Sequence, residues 1–463
     1  MKEQARGAEE ADLELDGAGM REMAGLVLER LVSQIEGFGE QHAAGDWAKA
    51  WDGGPRPIPG MGVPHFEELL DEVLERAKAS FFTPGPGYLA YIPGGGLFPA
   101  ALASFLAAGI NRFTGIRAAA PALVALEEEA IEWLREGLGF DPGVVGVLTP
   151  GGSIANFTAI LCAREKLLGP ELRKGVLYCS DQVHHSVTKS ARAAGILEDR
   201  QRSVPTSAAL AMRPELLAEA IAADRARGLL PFCVVSSAGT TNTGAIDPLP
   251  EISEICRREG LWHHIDGAYG GAFQLVEEGR ARLPGILQGD SLTIDPHKGL
   301  FLPYGTGMLF VREREDLERP HKSSAVYLPE DPGAGVFDPS HFSLELSRPF
   351  RGLPLWMSLR YFGLDRFRAA LAEKLRLAGW IREELDKEEG LEVLEGQLTV
   401  VAFKVRGGGG EELMEAVNRK GRVYLSSCRL KGEFVVRICV LSFRTREPHA
   451  RMVVEDVREF LKG

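Results

Sequence analysis

Three short stretches carry side chains capable of covalent or acid–base chemistry: HHIDGAYGG (263–271), DQVHHSVTKSA (181–191) and DPHKGLFLP (295–303). Lys298 closes an apolar run and is followed by Gly, Leu, Phe and Pro. A lysine so placed either lays its stem on apolar surface and reaches water, or is held desolvated with a lowered pKa that makes the amine nucleophilic. Asp266 ends a second apolar run, and the small residues after it would let a flat group approach the backbone. A carboxylate there can ligate a metal, cap a turn or pair with a cationic ring nitrogen. Only His263 and His264 stand near it at ligand spacing, and they belong to the strand itself, so no metal is expected. A fourth stretch, TPGGSIANFTAI (149–160), puts Gly151, Gly152 and Ser153 where a strand turns into a helix. Free N–H groups and the helix dipole favour a phosphate there, although the same pattern also serves as plain helix punctuation. It lacks the Walker lysine and the GxGxxG spacing, which counts against a nucleoside triphosphate or NAD.

Taken one by one these signals are weak; their order makes them strong. A phosphate turn, the pair His184–His185, a carboxylate and the pair His297–Lys298 all stand at the ends of apolar runs. A cofactor with a phosphate, an aldehyde for a lysine and a ring nitrogen for a carboxylate is pyridoxal 5′-phosphate. Lys298 then reads as the Schiff-base lysine and Asp266 as the partner of the ring nitrogen.

Such residues can converge only if the runs bearing them are neighbouring strands. Between about 98 and 350, helical patterns (99–108, 121–138, 153–167, 213–226, 248–258) alternate with apolar runs at 144–149, 175–180, 232–239, 261–266, 291–295 and 305–312. Continuous apolar runs between helices describe strands buried on both faces of a mostly parallel sheet, whose ligands sit beyond the carboxyl ends. The expected class is α/β, with a large domain over 98–352. After it, a long helical region (354–388) precedes segregated strands and helices, which suggests a smaller α+β domain over 353–463. GGGG at 407–410 reads as a hairpin-type loop. Residues 1–97 form an N-terminal helical segment: Met20, Met23, Val27, Leu31 and Ile35 recur at helical spacing, and a Pro/Gly-rich connector (45–64) leads to a second helix near 65–80. A lone amphipathic helix cannot bury its face unaided, so it must pack on the body or on a second subunit.

The 463 residues exceed one comfortable core, and their composition (45% hydrophobic, 25% charged) is that of a globular protein. A net charge of −12 without a basic stripe argues against nucleic acid or an anionic membrane as partner. Six scattered cysteines without a CxxC pair, a charged start and no apolar run of bilayer length lead to the expectation of a cytoplasmic protein.

DGAYGG, DPHKG and SDQVHHSVTKSA together resemble the group II pyridoxal-phosphate decarboxylases, the family of aromatic-amino-acid, glutamate and related decarboxylases, from about residue 80 to the C-terminus. The resemblance implies fold-type I, the aspartate aminotransferase-like architecture, and a homodimer with the active site at its interface and the N-terminal segment swapped onto the partner. It implies that His184 stacks on the cofactor ring, Asp266 pairs with the pyridine nitrogen and Ala268 packs on the opposite face. Gly151, Gly152 and Ser153 would hold the phosphate, Thr241 would lie near the ring, and His297 would help fix the phosphate or cofactor. His185 reads as a space-filling neighbour. Tyr327, in the polar segment 321–335, matches the tyrosine credited with protonating Cα; members with Phe there resemble aldehyde synthases. The expected reaction is decarboxylation of an L-amino acid, aromatic or related, to amine and carbon dioxide. The alternatives are another enzyme of the same fold (aldehyde synthase, aminotransferase or carbon–carbon lyase) or a non-catalytic binding relative.

Where the aromatic branch walls its substrate pocket, Tyr91 is retained and Phe113 offers one further ring, whereas Thr83, Gly94, Gly115 and Arg117 stand where that branch has larger, aromatic or hydrogen-bonding groups. Arg117 reads either as a contact to an acidic substrate group or as a structural ion pair. Gly299 and Asp295 replace the Trp and Asn of other members, and Asp295 would alter phosphate contacts. Arg348, Arg351 and Arg437 are single arginines in apolar or special contexts. Arg437, inside a strand, reads as a carboxylate or partner-domain contact or as a structural salt bridge.

Overall fold

The computed structural model describes residues 15–45, 65–322, 333 and 335–463. Seven strands form the large sheet: β1 (Val145–Thr149), β2 (Gly175–Ser180), β3 (Gln201–Val204), β4 (Leu230–Ser237), β5 (Trp262–Asp266), β6 (Ser291–Ile294) and β7 (Gly307–Val311), in the order β1-β7-β6-β5-β4-β2-β3. All run parallel except β7, which pairs antiparallel with both β1 and β6. Every residue of β2, β5, β6 and β7 is buried, as apolar runs between helices require. The polar edge strand β3, absent from the apolar-run reading, was hidden by its sequence, QRSV.

Helices cover both faces. The helix Pro121–Leu138 starts on a proline and stops at Gly139, whose φ of +91° lets the chain leave in the left-handed region. The long helical region expected over 354–388 is two helices, Gly352–Phe362 and Leu364–Asp386, broken at Gly363 (φ +72°). The first packs on the helices Phe98–Ile110 and Pro121–Leu138, the second toward the C-terminal unit.

That unit is a four-stranded antiparallel sheet, ordered β10-β11-β9-β8, of β8 (Leu391–Val393), β9 (Val400–Val405), β10 (Ser426–Leu430) and β11 (Glu433–Cys439). It has its own core, including Phe403, Val436, Ile438, Leu413 and Val453. Gly407–Gly409, all at positive φ, join β9 to the helix Gly410–Lys420, so the run expected as a hairpin-type loop is a strand-to-helix turn. Upstream residues also dock here: Tyr88 bridges Tyr424, and Leu89, fully buried in this second core, exchanges backbone hydrogen bonds with Tyr424 and Cys439.

The helix Gly17–Glu36 buries none of its residues and leaves Met20, Leu28, Leu31 and Val32 exposed. The helix Phe98–Ile110 exposes Leu102, Phe105, Leu106 and Ile110. Among the described residues no helix is long and apolar enough to cross a membrane.

Candidate active site

The carboxyl ends of β1, β2, β4, β5 and β6 meet around a cavity of about 240 Å³. Its wall contains Gly151, Gly152 and Ser153 from the β1 end, His184 from the β2 end, Thr241 from the β4 end, Asp266 and Ala268 from the β5 end, and His297 and Lys298 from the β6 end. Parallel strands end on one edge, so residues far apart in sequence arrive together.

Gly151 and Gly152 open the helix Gly152–Leu167 with their N–H groups free of side-chain caps. The space over Gly152 is taken: a Cβ there would stand 2.8 Å from Asp295 Oδ2 and 3.1 Å from Ala268 Cβ. Asp266 accepts hydrogen bonds from Ala268 N–H at 3.1 Å and Asn156 Nδ2 at 2.8 Å. His184 caps the helix His185–Ala193 and stands beside exposed His185, ring centroids 4.2 Å apart. Burial pushes the His184 imidazole below the ordinary histidine range, with nearby Asp266 pulling the other way. His297 is likewise pushed down by burial, and its Nδ1–H donates to the Thr306 carbonyl at 2.6 Å.

Lys298 is neither at the protein surface nor isolated in apolar surroundings. Its ammonium pairs with Asp295 Oδ2 at 2.9 Å, and Asp295 is 1% exposed with its Oδ1 unpartnered. The site thus offers a lysine amine, a hydrogen-bonded carboxylate, a histidine and a helix N-terminus around one cavity. A cofactor with an aldehyde, a ring nitrogen and a phosphate finds a complementary group for each of its three handles.

Comparison with known proteins agrees. Residues 66–406 match the pyridoxal-dependent decarboxylase conserved domain. The chain belongs to the pyridoxal-dependent decarboxylases. An aromatic-L-amino-acid decarboxylase of Bacillus atrophaeus is 34% identical over 387 residues, covering 81% of this chain and 80% of the relative. Among solved structures, the 4-hydroxyphenylacetaldehyde synthase of Rhodiola rosea superposes with a TM-score of 0.88 at 25% identity, over 97% of this chain and 99% of the other. A rice TDC solved with PLP and tryptamine gives 0.89 at 23% identity, over 97% and 99%, a likeness of fold. The decarboxylase is therefore a fold-type I enzyme that uses pyridoxal 5′-phosphate.

The other candidate residues of this decarboxylase lie away from the cavity wall. Tyr91 is 54% exposed, its backbone at φ +53° and its N–H on Ser426 Oγ. Phe113 is also exposed. Arg117 pairs with Glu128 at 2.7 Å, donates to the Phe337 carbonyl, and offers its backbone N–H to Asp338. Among the described residues Arg437 has no carboxylate partner: Nε donates to Asn242 O at 2.8 Å, Nη1 to Ser426 Oγ at 2.9 Å and Nη2 to Thr241 O. Arg348 forms a buried pair with Glu127 at 2.8 Å, and Arg351 a bidentate one with Glu345. Tyr327 lies outside the described residues. The glycines that depart from other members have packing reasons: a Cβ on Gly94 would stand 2.1 Å from the His297 carbonyl oxygen, and one on Gly299 2.3 Å from Ala272 Cβ.

Two buried residues of the site have roles that the sequence does not mark. Asn156 sits in GGSIAN, where a polar residue on an otherwise apolar helix face was the available signal. The sequence points Asp295 toward the phosphate, whereas the structure pairs it with Lys298.

Proposed function

We propose that this decarboxylase converts an aromatic L-amino acid to its amine and carbon dioxide, as a cytoplasmic homodimer whose active site is completed at the subunit interface. The observation that carries the reading is the Lys298–Asp266–His184 constellation in one cavity, together with the 34% identity to an aromatic-L-amino-acid decarboxylase. The apolar faces left open on the helices Gly17–Glu36 and Phe98–Ile110 support a second subunit, since patches of this kind mark association surfaces.

Pyridoxal phosphate, when bound, supplies an electron sink for the pair left on Cα as carbon dioxide departs. The chain's residues supply the rest. Lys298 would hold the cofactor through its aldehyde. Asp266 would pair with the ring nitrogen and favour its protonated form, and His184 and Ala268 would flank the ring. Gly151, Gly152 and Ser153 take the phosphate with their N–H groups, and His297 and Thr241 close the wall. Tyr327 would supply the proton that Cα takes up. Tyr91, Phe113 and Arg117 border the substrate side in the dimer and orient the amino acid, Arg437 holds the Thr241–Asn242 turn of the cavity wall in place, and the proposed domains are 1–97, 98–352 and 353–463.

Carbon dioxide release across a panel of aromatic, acidic, basic and small L-amino acids, with the organic product analysed, tests this. Release with an equimolar amine from an aromatic substrate is expected; release from acidic or small substrates alone would overturn the substrate class. The likeness to an aldehyde synthase supports a second reading, in which the amino acid, oxygen and water give the aldehyde, carbon dioxide, ammonia and hydrogen peroxide. Tyr327 favours the amine, and Tyr327→Phe should shift product from amine toward aldehyde. Unchanged amine turnover would remove Tyr327 from the reaction.

A further inference from the structure

We propose that Asn156 is a positioning residue for this site: its amide aims the Asp266 carboxylate, and the amide is in turn oriented by His264 and Thr293. The proposal rests on the reading that Asp266 faces the ring nitrogen of the cofactor. Asn156 is 1% exposed and stands on the second turn of the helix Gly152–Leu167, against β5 and β6.

The direction of every bond follows by elimination. An ionised carboxylate only accepts, so the side of the amide facing Asp266 Oδ2 at 2.8 Å must be the nitrogen. Its second hydrogen goes to Ser186 Oγ at 3.1 Å. The amide oxygen then faces His264 Nε2 at 3.0 Å and Thr293 Oγ1 at 2.9 Å, and both must donate. Burial holds the His264 imidazole neutral, its pKa pushed down to about 4, so its Nδ1 carries no proton. That nitrogen accepts from the Ser291 hydroxyl at 2.8 Å, and Ser291 accepts the indole N–H of Trp262 at 2.8 Å.

Donation therefore runs one way, from Trp262 through Ser291, His264 and Asn156 to Asp266. The flipped amide would set its carbonyl against the carboxylate and its NH₂ against an N–H donor. In a buried network such a reversal costs far more than it would in water. Asp266 is left with one oxygen on the Ala268 N–H and the other on Asn156, its remaining lone pairs open to the cavity. On the other side, Ser186 accepts from Asn156 and gives its own proton to His184 Nδ1 at 2.7 Å, where the Ser186 backbone N–H also donates. A neutral His184 accordingly carries its proton on Nε2. One amide thus links the residue at the ring edge to the residue at the ring face.

Two measurements test this. In cofactor-free protein labelled with ¹⁵N-histidine, NMR should find His264 as the Nε2–H tautomer; an Nδ1–H tautomer would overturn the chain of donors. In protein reconstituted with ring-¹⁵N pyridoxal phosphate, the nitrogen shift and the dissociation constant are compared among wild type, Asn156→Ala, His264→Leu and His264→Gln. Loss of a hydrogen bond to a charged group predicts that Asn156→Ala weakens cofactor binding about 10- to 100-fold, with the ring nitrogen moving toward its unprotonated shift. His264→Leu should move both quantities the same way by less. His264→Gln, whose amide N–H can replace Nε2–H, should restore them to within about twofold. A wild-type dissociation constant and shift in Asn156→Ala, or a His264→Gln as impaired as His264→Leu, would overturn the proposal. A wild type that binds the cofactor with an unprotonated ring nitrogen would instead sink the assignment of Asp266 on which it rests.

Discussion

Arg437 connects the small sheet to the cofactor cavity, and its removal separates two roles that a lone arginine in a strand could play. The residue is 3% exposed and lies on β11 opposite Ser426 of β10. Its guanidinium spends three donors on Thr241 O, Asn242 O and Ser426 Oγ, and Thr241 is part of the cavity wall. Arg437→Met keeps the volume and removes all three. Each hydrogen bond from a charged donor is worth about 1.5–3 kcal/mol, and two backbone carbonyls lose a donor. Against this stands the relieved cost of holding an unpaired cation out of water, several kcal/mol in effect. The balance is a net loss of about 2–4 kcal/mol, concentrated where the small sheet meets the 239–242 turn. Thermal unfolding of the cofactor-free protein should show a drop of several degrees, and cofactor affinity should fall because Thr241 is no longer held. Arg437→Lys, which can reach one acceptor, should lie between. An unchanged melting temperature and cofactor affinity, with KM for the amino acid raised 100-fold or more, would refute this reasoning and assign Arg437 to the substrate carboxylate.

Lys298→Ala should abolish covalent trapping of the cofactor by borohydride, read by mass spectrometry of the intact chain; a retained adduct would move the attachment elsewhere. His263 and His264 are buried, with imidazoles pushed down to about 3 and about 4, while in the unfolded chain both titrate near 6.5. Between pH 6.5 and 4 the unfolded state alone takes up these protons, so stability is complete above pH 6.5 and is lost as pH falls, by up to about 3 kcal/mol per residue at pH 4. Urea midpoints across that range should show the slope, and His263→Gln should make it shallower; an unaltered slope would discharge His263 from the acid sensitivity. Phe105, 67% exposed on the helix Phe98–Ile110, offers a probe of assembly. Phe105→Glu should drive a dimer toward monomer in sedimentation, because a carboxylate forced into an apolar contact costs several kcal/mol; an undiminished dimer would place the interface elsewhere.

The legible part of this decarboxylase was the part governed by local rules. Strands buried on both faces must be apolar throughout, so β1, β2, β4, β5, β6 and β7 announced themselves, and a parallel sheet delivers its strand ends to one edge without further information. That is why the sequence alone brings Lys298, Asp266 and His184 together. Asn156 and Asp295 obey a different logic. Each is polar, buried and meaningful only through partners 30 to 140 positions away or across a turn, and a sequence read along its length shows such a residue as an ordinary helix or turn position. Arg437 shows the same limit from the other side: inside a strand it demanded a partner, and the partner is backbone carbonyl, which any residue supplies and no motif marks. The aromatic residues Tyr91 and Phe113 mark the last boundary. They are exposed in the single chain, and an exposed ring gains a role only from the surface that covers it. If the subunit interface lies over the helix Phe98–Ile110, Phe105→Glu should then disturb substrate discrimination together with assembly, while Lys298 still captures the cofactor in each separated subunit.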